Sequence, residues 1–193
     1  NKTPQGNQDS NGIGDFYYAP PSGFLALCTK NLDMPTVIPS EHFNTVLYTG
    51  NGASSHAVTA VGFEPDFTWI KSRSGTYQHA LHDSVRGDTL RLRSDQTTAE
   101  AVGGVLSLDS DGFSVSADGS YNLNGGTYIA WNWKAGGTAV SNTNGTITSS
   151  VSANPSAGFS LISYAGASNA TSDSANNGGA YWTIGHGLSK APE

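Results

Sequence analysis

The segment "TYIAWNW", residues 127–133, shows which kind of secondary structure this chain forms. In an extended backbone, Tyr128 and Ala130 point to one face. Trp131 and Trp133 then point to the opposite face. This period of two residues is typical of a β-strand, whereas a helix would repeat every 3.6 residues. The same period recurs in "FNTVLY" (43–48), "AVTAVGF" (57–63), "FSVS" (113–116) and "FSLISY" (159–164).

Turn dipeptides separate these apolar segments. Asn-Gly and Asp-Gly pairs tolerate a positive φ angle and suit tight hairpins, and they occur at 51–52, 111–112, 118–119, 124–125 and 144–145. One short segment, "QTTAEAV" (96–102), has the pattern of a helical turn. Short strands at regular spacing predict an all-β protein with the architecture of a β-sandwich or jelly roll.

Composition limits the classes of function. The chain has 193 residues, only 12% of them are charged, and its net charge is −6. Because no basic run occurs, we expect no nucleic-acid-binding surface. Because no stretch of 18 apolar residues occurs, we expect no insertion into a membrane. The single cysteine, Cys28, excludes an internal disulfide, so packing and subunit association are expected to supply the stability.

An internal repeat divides the chain. Four positions recur at an offset of 116 residues, in the pairs Phe43 and Phe159, Val46 and Ile162, Tyr48 and Tyr164, and Gly50 and Gly166. After a longer loop, residues 62–63 correspond to 187–188, and residues 65–66 correspond to 192–193. The common order predicts two related units, the second of them incomplete. We therefore expect the chain to be a piece of a longer protein.

Three long phrases carry a resemblance to a known family. They are "FNTVLYTGNG" (43–52), "VTAVGFEPDFTWIKSRSG" (58–75) and "TYIAWNWKAGG" (127–137). Together they resemble a repeat found in tail and virion-associated proteins of marine and cyanobacterial phages. The segment "GDFYYAPPSGFLALCTKNL" (14–32) is similar to the end of a SPRY-like domain that often precedes this repeat. The resemblance implies a concanavalin-like or lectin-like β-sandwich and brings no catalytic residues.

The resemblance and the repeat together predict four segments. Residues 1–42 would be the C-terminal tail of a SPRY-like domain with a linker, and residues 43–134 a β-sandwich repeat. Residues 135–158, rich in Ser, Thr, Asn and Gly, would be a linker or an exposed hairpin. Residues 159–193 would begin a second repeat.

The function implied by the resemblance is that of a non-enzymatic structural protein of the virion. Such a protein would be a tail fibre, tail tip or capsid appendage, assembled in the host cytoplasm and attached to other virion proteins. The resemblance also implies a homo-oligomer, specifically a trimer, and attachment to the host surface. Two alternatives remain open, a carbohydrate-binding lectin-like module and a polysaccharide depolymerase. A glycan array distinguishes the carbohydrate-binding module from a purely structural protein. Release of product from host polysaccharide distinguishes the depolymerase from both.

The candidate ligand contacts lie in and near "HALHD" (79–83) and close to the end of the chain. His79, His82 and Asp83 are polar residues of a loop or strand and could contact a surface ligand. Because positions i and i+3 of a strand face opposite sides, they are not expected to hold a metal. Tyr77 and Trp182 lie in or near loops, where aromatic side chains can meet a ligand. We expect no cofactor, metal or catalytic residue.

Other motifs have simpler explanations. "DSDG" (109–112) begins like a calcium loop, but its twelfth position is Ser120, so a hairpin turn is favoured. "RGD" (86–88) is part of a Ser-Val-Arg-Gly turn in the resembling family. Trp69, Trp131 and Trp133 are expected in the core, because they lie in strands.

Overall fold

The computed structural model describes residues 2–33, 36–166 and 182–190. It is 35% strand and 6% helix, which confirms the prediction of an all-β fold. The chain forms two compact units, Asn1–Thr36 and Val37–Glu193. The boundary between them therefore lies six residues before the end of the predicted segment 1–42. In the part of the chain that the structure describes, no helix is both long and apolar enough to cross a membrane.

The first unit is organised around the buried carboxylate of Asp9. This carboxylate accepts hydrogen bonds from the backbone N–H groups of Ala26, Ile13 and Asn11. The side-chain amide of Asn31, at the end of a 3-10 helix that spans Thr29–Asn31, donates another. These bonds, led by that from Ala26, hold the pKa of Asp9 below its usual value. Asp9 thus links distant parts of a segment that has almost no regular structure.

The second unit contains the strands and two short helical turns, a 3-10 turn at Pro39–Glu41 and the helix α1 at Gly119–Asn122. The strands are β1 Phe43–Thr49, β2 His56–Val58, β3 Phe67–Ser72, β4 Ala80–Asp83, β5 Leu90–Arg91, β6 Ala101–Val102, β7 Val105–Asp109, β8 Gly112–Val115, β9 Thr127–Trp133, β10 Val140–Asn142, β11 Ser149–Asn154 and β12 Phe159–Tyr164.

Two antiparallel sheets pack face to face as a β-sandwich. One has the strand order β1-β9-β3-β4 and the other the order β2-β8-β7. Their facing sides form one apolar core, whose members are Val46, Val58, Val61, Phe63, Ile70, Ala80, Val105, Phe113, Val115, Tyr121 and Ala130. Burial follows the alternation expected for β9, because Tyr128, Ala130 and Asn132 are inaccessible to solvent whereas the residues between them are not.

A third sheet, β10-β11-β12, follows the sandwich. Its strands β10 and β11 lie within residues 135–158, so this segment forms a hairpin and not a linker. Because β11 pairs with β12 from Asn154↔Phe159 to Ser149↔Tyr164, the predicted boundary at 158–159 falls inside one sheet. The tandem relation stays a prediction. Val46 of β1 is 8% exposed, whereas its counterpart Ile162 in β12 is 36% exposed.

Candidate functional site

The side of the four-stranded sheet that points away from the core is apolar. We call it the outer aromatic face, and it consists of Phe43, Thr45, Leu47, Phe67, Trp69, Lys71, Leu81, Ile129, Trp131 and Trp133. The strand register arranges these side chains in rows that cross the strands. One row is Phe43–Trp133–Phe67 and the next is Thr45–Trp131–Trp69–Leu81. All ten residues are exposed or half-buried, so the face is accessible in this chain.

Aromatic contacts hold the rows together. The ring of Trp133 lies between Phe43, at a centroid distance of 4.8 Å, and Phe67, at 5.2 Å. The rings of Trp69 and Trp131 meet edge to face at 5.8 Å. The expectation that the three tryptophans belong to the core is therefore wrong. They occupy odd positions of their strands, whereas the residues that face the core occupy the even positions.

His79 and Tyr77 border this face. The indole N–H of Trp69 donates to Nδ1 of His79 at 2.9 Å, so His79 supports the face from its edge. The ammonium of Lys71 donates to the carbonyl oxygens of Tyr77, at 2.8 Å, and Ser72, at 2.9 Å. Both predicted contact residues are half-buried, His79 against Trp69 and Tyr77 through its backbone against Lys71.

His82 lies in the core, and its prediction as a surface contact is wrong. Its side chain is 0% exposed. Nδ1 donates to the backbone oxygen of Asp88 at 2.8 Å, and Nε2 accepts from the hydroxyl of Tyr121 at 2.9 Å. Burial lowers the pKa of His82 to about 4, so the ring is neutral near pH 7. Burial likewise raises the pKa of Tyr121 to about 12.

Asp83 is also buried, which corrects its prediction as a surface contact. Its carboxylate accepts from the backbone N–H groups of Val85 and Arg86 and forms an ion pair with Nε of Arg86 at 2.6 Å. Arg86 donates further to Glu100 at 2.6 Å, and its side chain is only 16% exposed. The Arg-Gly-Asp tripeptide is therefore a tight structural turn, and its arginine is not available to an adhesion receptor.

The aspartates of the calcium-like segment stabilise a hairpin. Asp109 accepts from the hydroxyls of Ser107 and Ser114, and Asp111 accepts from the backbone N–H groups of Gly62 and Ala60. The bond from Gly62, assisted by that from Ala60, lowers the pKa of Asp111. Among residues 2–33, 36–166 and 182–190, no group of three or more His, Cys, Asp or Glu side chains could hold a metal ion.

A cleft of about 750 Å³ lies between the sandwich and the third sheet. Its lining includes Glu64, Asp66, Lys134 and Asn154. Asp66 is buried, and its two oxygens accept from the hydroxyl of Ser84 and the N–H of Ala135. Glu64 is exposed, so the two carboxylates of this cleft lie in different environments and Asp66 already has a structural role.

Trp182 is 48% exposed, and its role as a ligand contact stays a prediction. Its neighbour Thr183 exchanges hydrogen bonds with Thr146, at the turn between β10 and β11. The longer loop of the repeat, residues 167–181, lies outside the described residues.

Residues 38–193 match the family described as domain of unknown function DUF7483. The chain belongs to the DUF7483 family. The matched range of this DUF7483 chain contains the whole sandwich, the third sheet and the outer aromatic face. No curated protein and no solved structure was found to match it.

Sequence reasoning missed the outer aromatic face, although one signal pointed to it. In "YIAWNW" one set of alternating positions, Ile129, Trp131 and Trp133, is uniformly large and apolar, and the other set begins with Tyr128 and Ala130, so apolar side chains lie on both faces of the strand. The core occupies one set only.

Proposed function

We propose that this chain is a non-enzymatic structural module of a phage virion appendage that also attaches to the host surface. The resemblance of residues 43–137 to phage virion repeats supports this proposal. The structural observation that carries it is the stiff junction between the sandwich and the third sheet.

The junction begins directly after β9. Three consecutive backbone N–H groups donate hydrogen bonds to three separate parts of the chain. The N–H of Lys134 donates to the carbonyl oxygen of His42, and that of Ala135 donates to the carboxylate of Asp66. The N–H of Gly136 donates to the hydroxyl of Ser152. A side chain at Gly136 would place its Cβ only 2.1 Å from the backbone oxygen of Ala153. Because the backbone fits this closely, the connection cannot swing like a linker.

An aromatic contact completes the junction. The ring of Phe159, the first residue of β12, stacks on that of Trp133, the last residue of β9, at 6.1 Å and an interplanar angle of 20°. Successive β-units joined in this way keep a fixed relative direction. An elongated appendage that must keep its form outside a cell needs this property.

The proposal includes assembly into a homo-oligomer, a trimer by family resemblance, together with other virion proteins. Association is the usual way to cover the edges of open sheets, and β1 and β12 are both edge strands. Light scattering of the purified protein at micromolar concentration tests this part, because a trimer has three times the mass of the chain and a monomer would contradict it.

Electron microscopy tests the location. An antibody raised against this chain, coupled to gold, should label intact particles of the phage that encodes it at one type of appendage. Particles of an unrelated phage serve as the control. Intact particles without label, together with detection of the protein only in the lysate of infected cells, would refute a virion role.

Carbohydrate binding is the second candidate function. The observation that favours it is the outer aromatic face, whose half-buried indole rings are of the kind that pack against sugars.

A further inference from the structure

We infer that the outer aromatic face binds an acidic polysaccharide chain that runs across the strands. The inference deepens the attachment part of the proposed function and rests on it.

The apolar composition of the face indicates that it binds a partner molecule. An antiparallel sheet that packs one side on a core usually has polar residues on the other side. Here eight of the ten residues of the outer aromatic face are apolar, and only Lys71 is charged. Leu47 is 62% exposed and Phe43 is 40% exposed, and the three tryptophans are half-buried. A contiguous apolar patch that solvent reaches in this way marks a binding surface.

The shape of the face fits a linear ligand. The row Thr45–Trp131–Trp69–Leu81 crosses four strands, and a bridge between Leu81 and Leu92 adds a fifth position. With about 4.8 Å between neighbouring strands, the row is roughly 19 Å long. It therefore offers a narrow apolar track with the two indoles at its centre.

The polar atoms of the face favour a glycan. The indole N–H of Trp131 donates to no other described residue and is not buried. An indole offers a flat apolar ring beside a hydrogen-bond donor, and a sugar ring offers C–H groups beside hydroxyl acceptors.

The charge beside the track favours an acidic glycan. Lys71 lies in the row next to Trp69, and Arg73 continues the same alternation and is exposed. Asp83, which is paired with Phe67 in the strand register, forms an ion pair with Arg86, and this pair offsets its negative charge. A positive margin in a chain whose net charge is −6 is complementary to carboxylate or sulfate groups of a polymer.

The test uses an array that carries uronate-containing, sulfated and neutral polysaccharides, followed by calorimetric titration of the best binder. We expect binding to an acidic polysaccharide that weakens as salt is added. Trp131→Ala should weaken it about tenfold or more, which corresponds to about 1.4 kcal/mol, because the variant removes one of the two rings at the centre of the track. Arg73→Glu, which leaves the aromatic track intact, should also weaken binding and reduce its dependence on salt.

Tyr164→Ala is the matched control, because it removes a 53% exposed aromatic side chain in β12, outside the face. It should leave the affinity within about twofold of wild type. Circular dichroism verifies that each variant is folded. The inference is wrong if no acidic polysaccharide binds, if only neutral ones bind, or if Tyr164→Ala abolishes binding while Trp131→Ala does not. Gold labelling of particles tests only where the protein is located. The glycan-binding test and the labelling test can therefore fail independently of each other.

Discussion

Protonation of His82 should make the stability of this protein depend strongly on pH. The ring is neutral in the fold, where Nδ1 donates to Asp88 and Nε2 accepts from Tyr121. A second proton would place a charge in the core and remove the acceptor that Tyr121 needs. Burial therefore lowers the pKa of His82 from 6.5 to about 4. Between these two values the unfolded chain binds a proton and the folded chain does not, so stability falls as the pH falls.

The size of the effect follows from the two pKa values. Lowering the pH from 7.5 to 4.5 should reduce the free energy of unfolding by roughly 2 to 3 kcal/mol through His82 alone. This loss is a large fraction of the total free energy of unfolding of a typical domain, which is about 5 to 15 kcal/mol. The carboxylates of Asp9 and Asp111 have lowered pKa values, so their contribution is lost only at still lower pH.

Urea unfolding, followed by tryptophan fluorescence at several pH values in this range, measures the effect. His82→Gln should be less stable than wild type at pH 7.5, because it loses buried contacts, but its stability should change much less with pH. His79→Gln, at a half-buried position near the surface, is the control and should keep the wild-type pH dependence. Parallel pH profiles for wild type and His82→Gln would refute the reasoning.

Three further predictions concern packing, the junction and the Arg-Gly-Asp turn. Gly104→Ala should lower the free energy of unfolding, measured in urea, by about 2 to 4 kcal/mol, because its Cβ would lie 1.9 Å from the ring of Tyr121 at a positive φ angle. Gly125→Ala, the control, also has a positive φ angle but lies in open space, so it should lower the free energy of unfolding less. Phe159→Ala should expose residues 134–139 to limited proteolysis, and an unchanged digestion pattern would contradict a stiff junction. Arg86→Ala should lower the midpoint of thermal unfolding by several degrees, because it leaves the buried carboxylate of Asp83 without its ion-pair partner. The same variant should not change adhesion to integrin-bearing cells. A variant as stable as wild type would contradict the structural role of Arg86.

The sequence was sufficient for the fold class, because period-two alternation and turn dipeptides are local signals. It was sufficient for the hairpin at 109–112 for the same reason. It failed for His82, since "HALHD" reads equally well as surface or core until the sheets are paired. The sequence did not predict the location of the tryptophans. Strand alternation places Trp131 and Ala130 on opposite faces of the sheet, but it does not indicate which face packs against the second sheet. That choice depends on long-range contacts with β2, β7 and β8.

The anchored junction could not be predicted for a related reason. A segment rich in Ser, Thr, Asn and Gly has the composition of a linker, and only the hydrogen bonds of Ala135 and Gly136 to distant side chains fix it. Small residues were needed there for the close approach of two backbones, which composition alone does not distinguish from flexibility.

Competition for adsorption tests attachment through the outer aromatic face most directly. Under the proposed function, a phage that carries this chain is mixed with its host in the presence of purified chain, and unadsorbed particles are counted after a fixed time. Wild-type chain should slow adsorption in proportion to its concentration, Tyr164→Ala should do the same, and Trp131→Ala should not. Adsorption that is unaffected by saturating wild-type chain, or slowed equally by Trp131→Ala, would contradict the account.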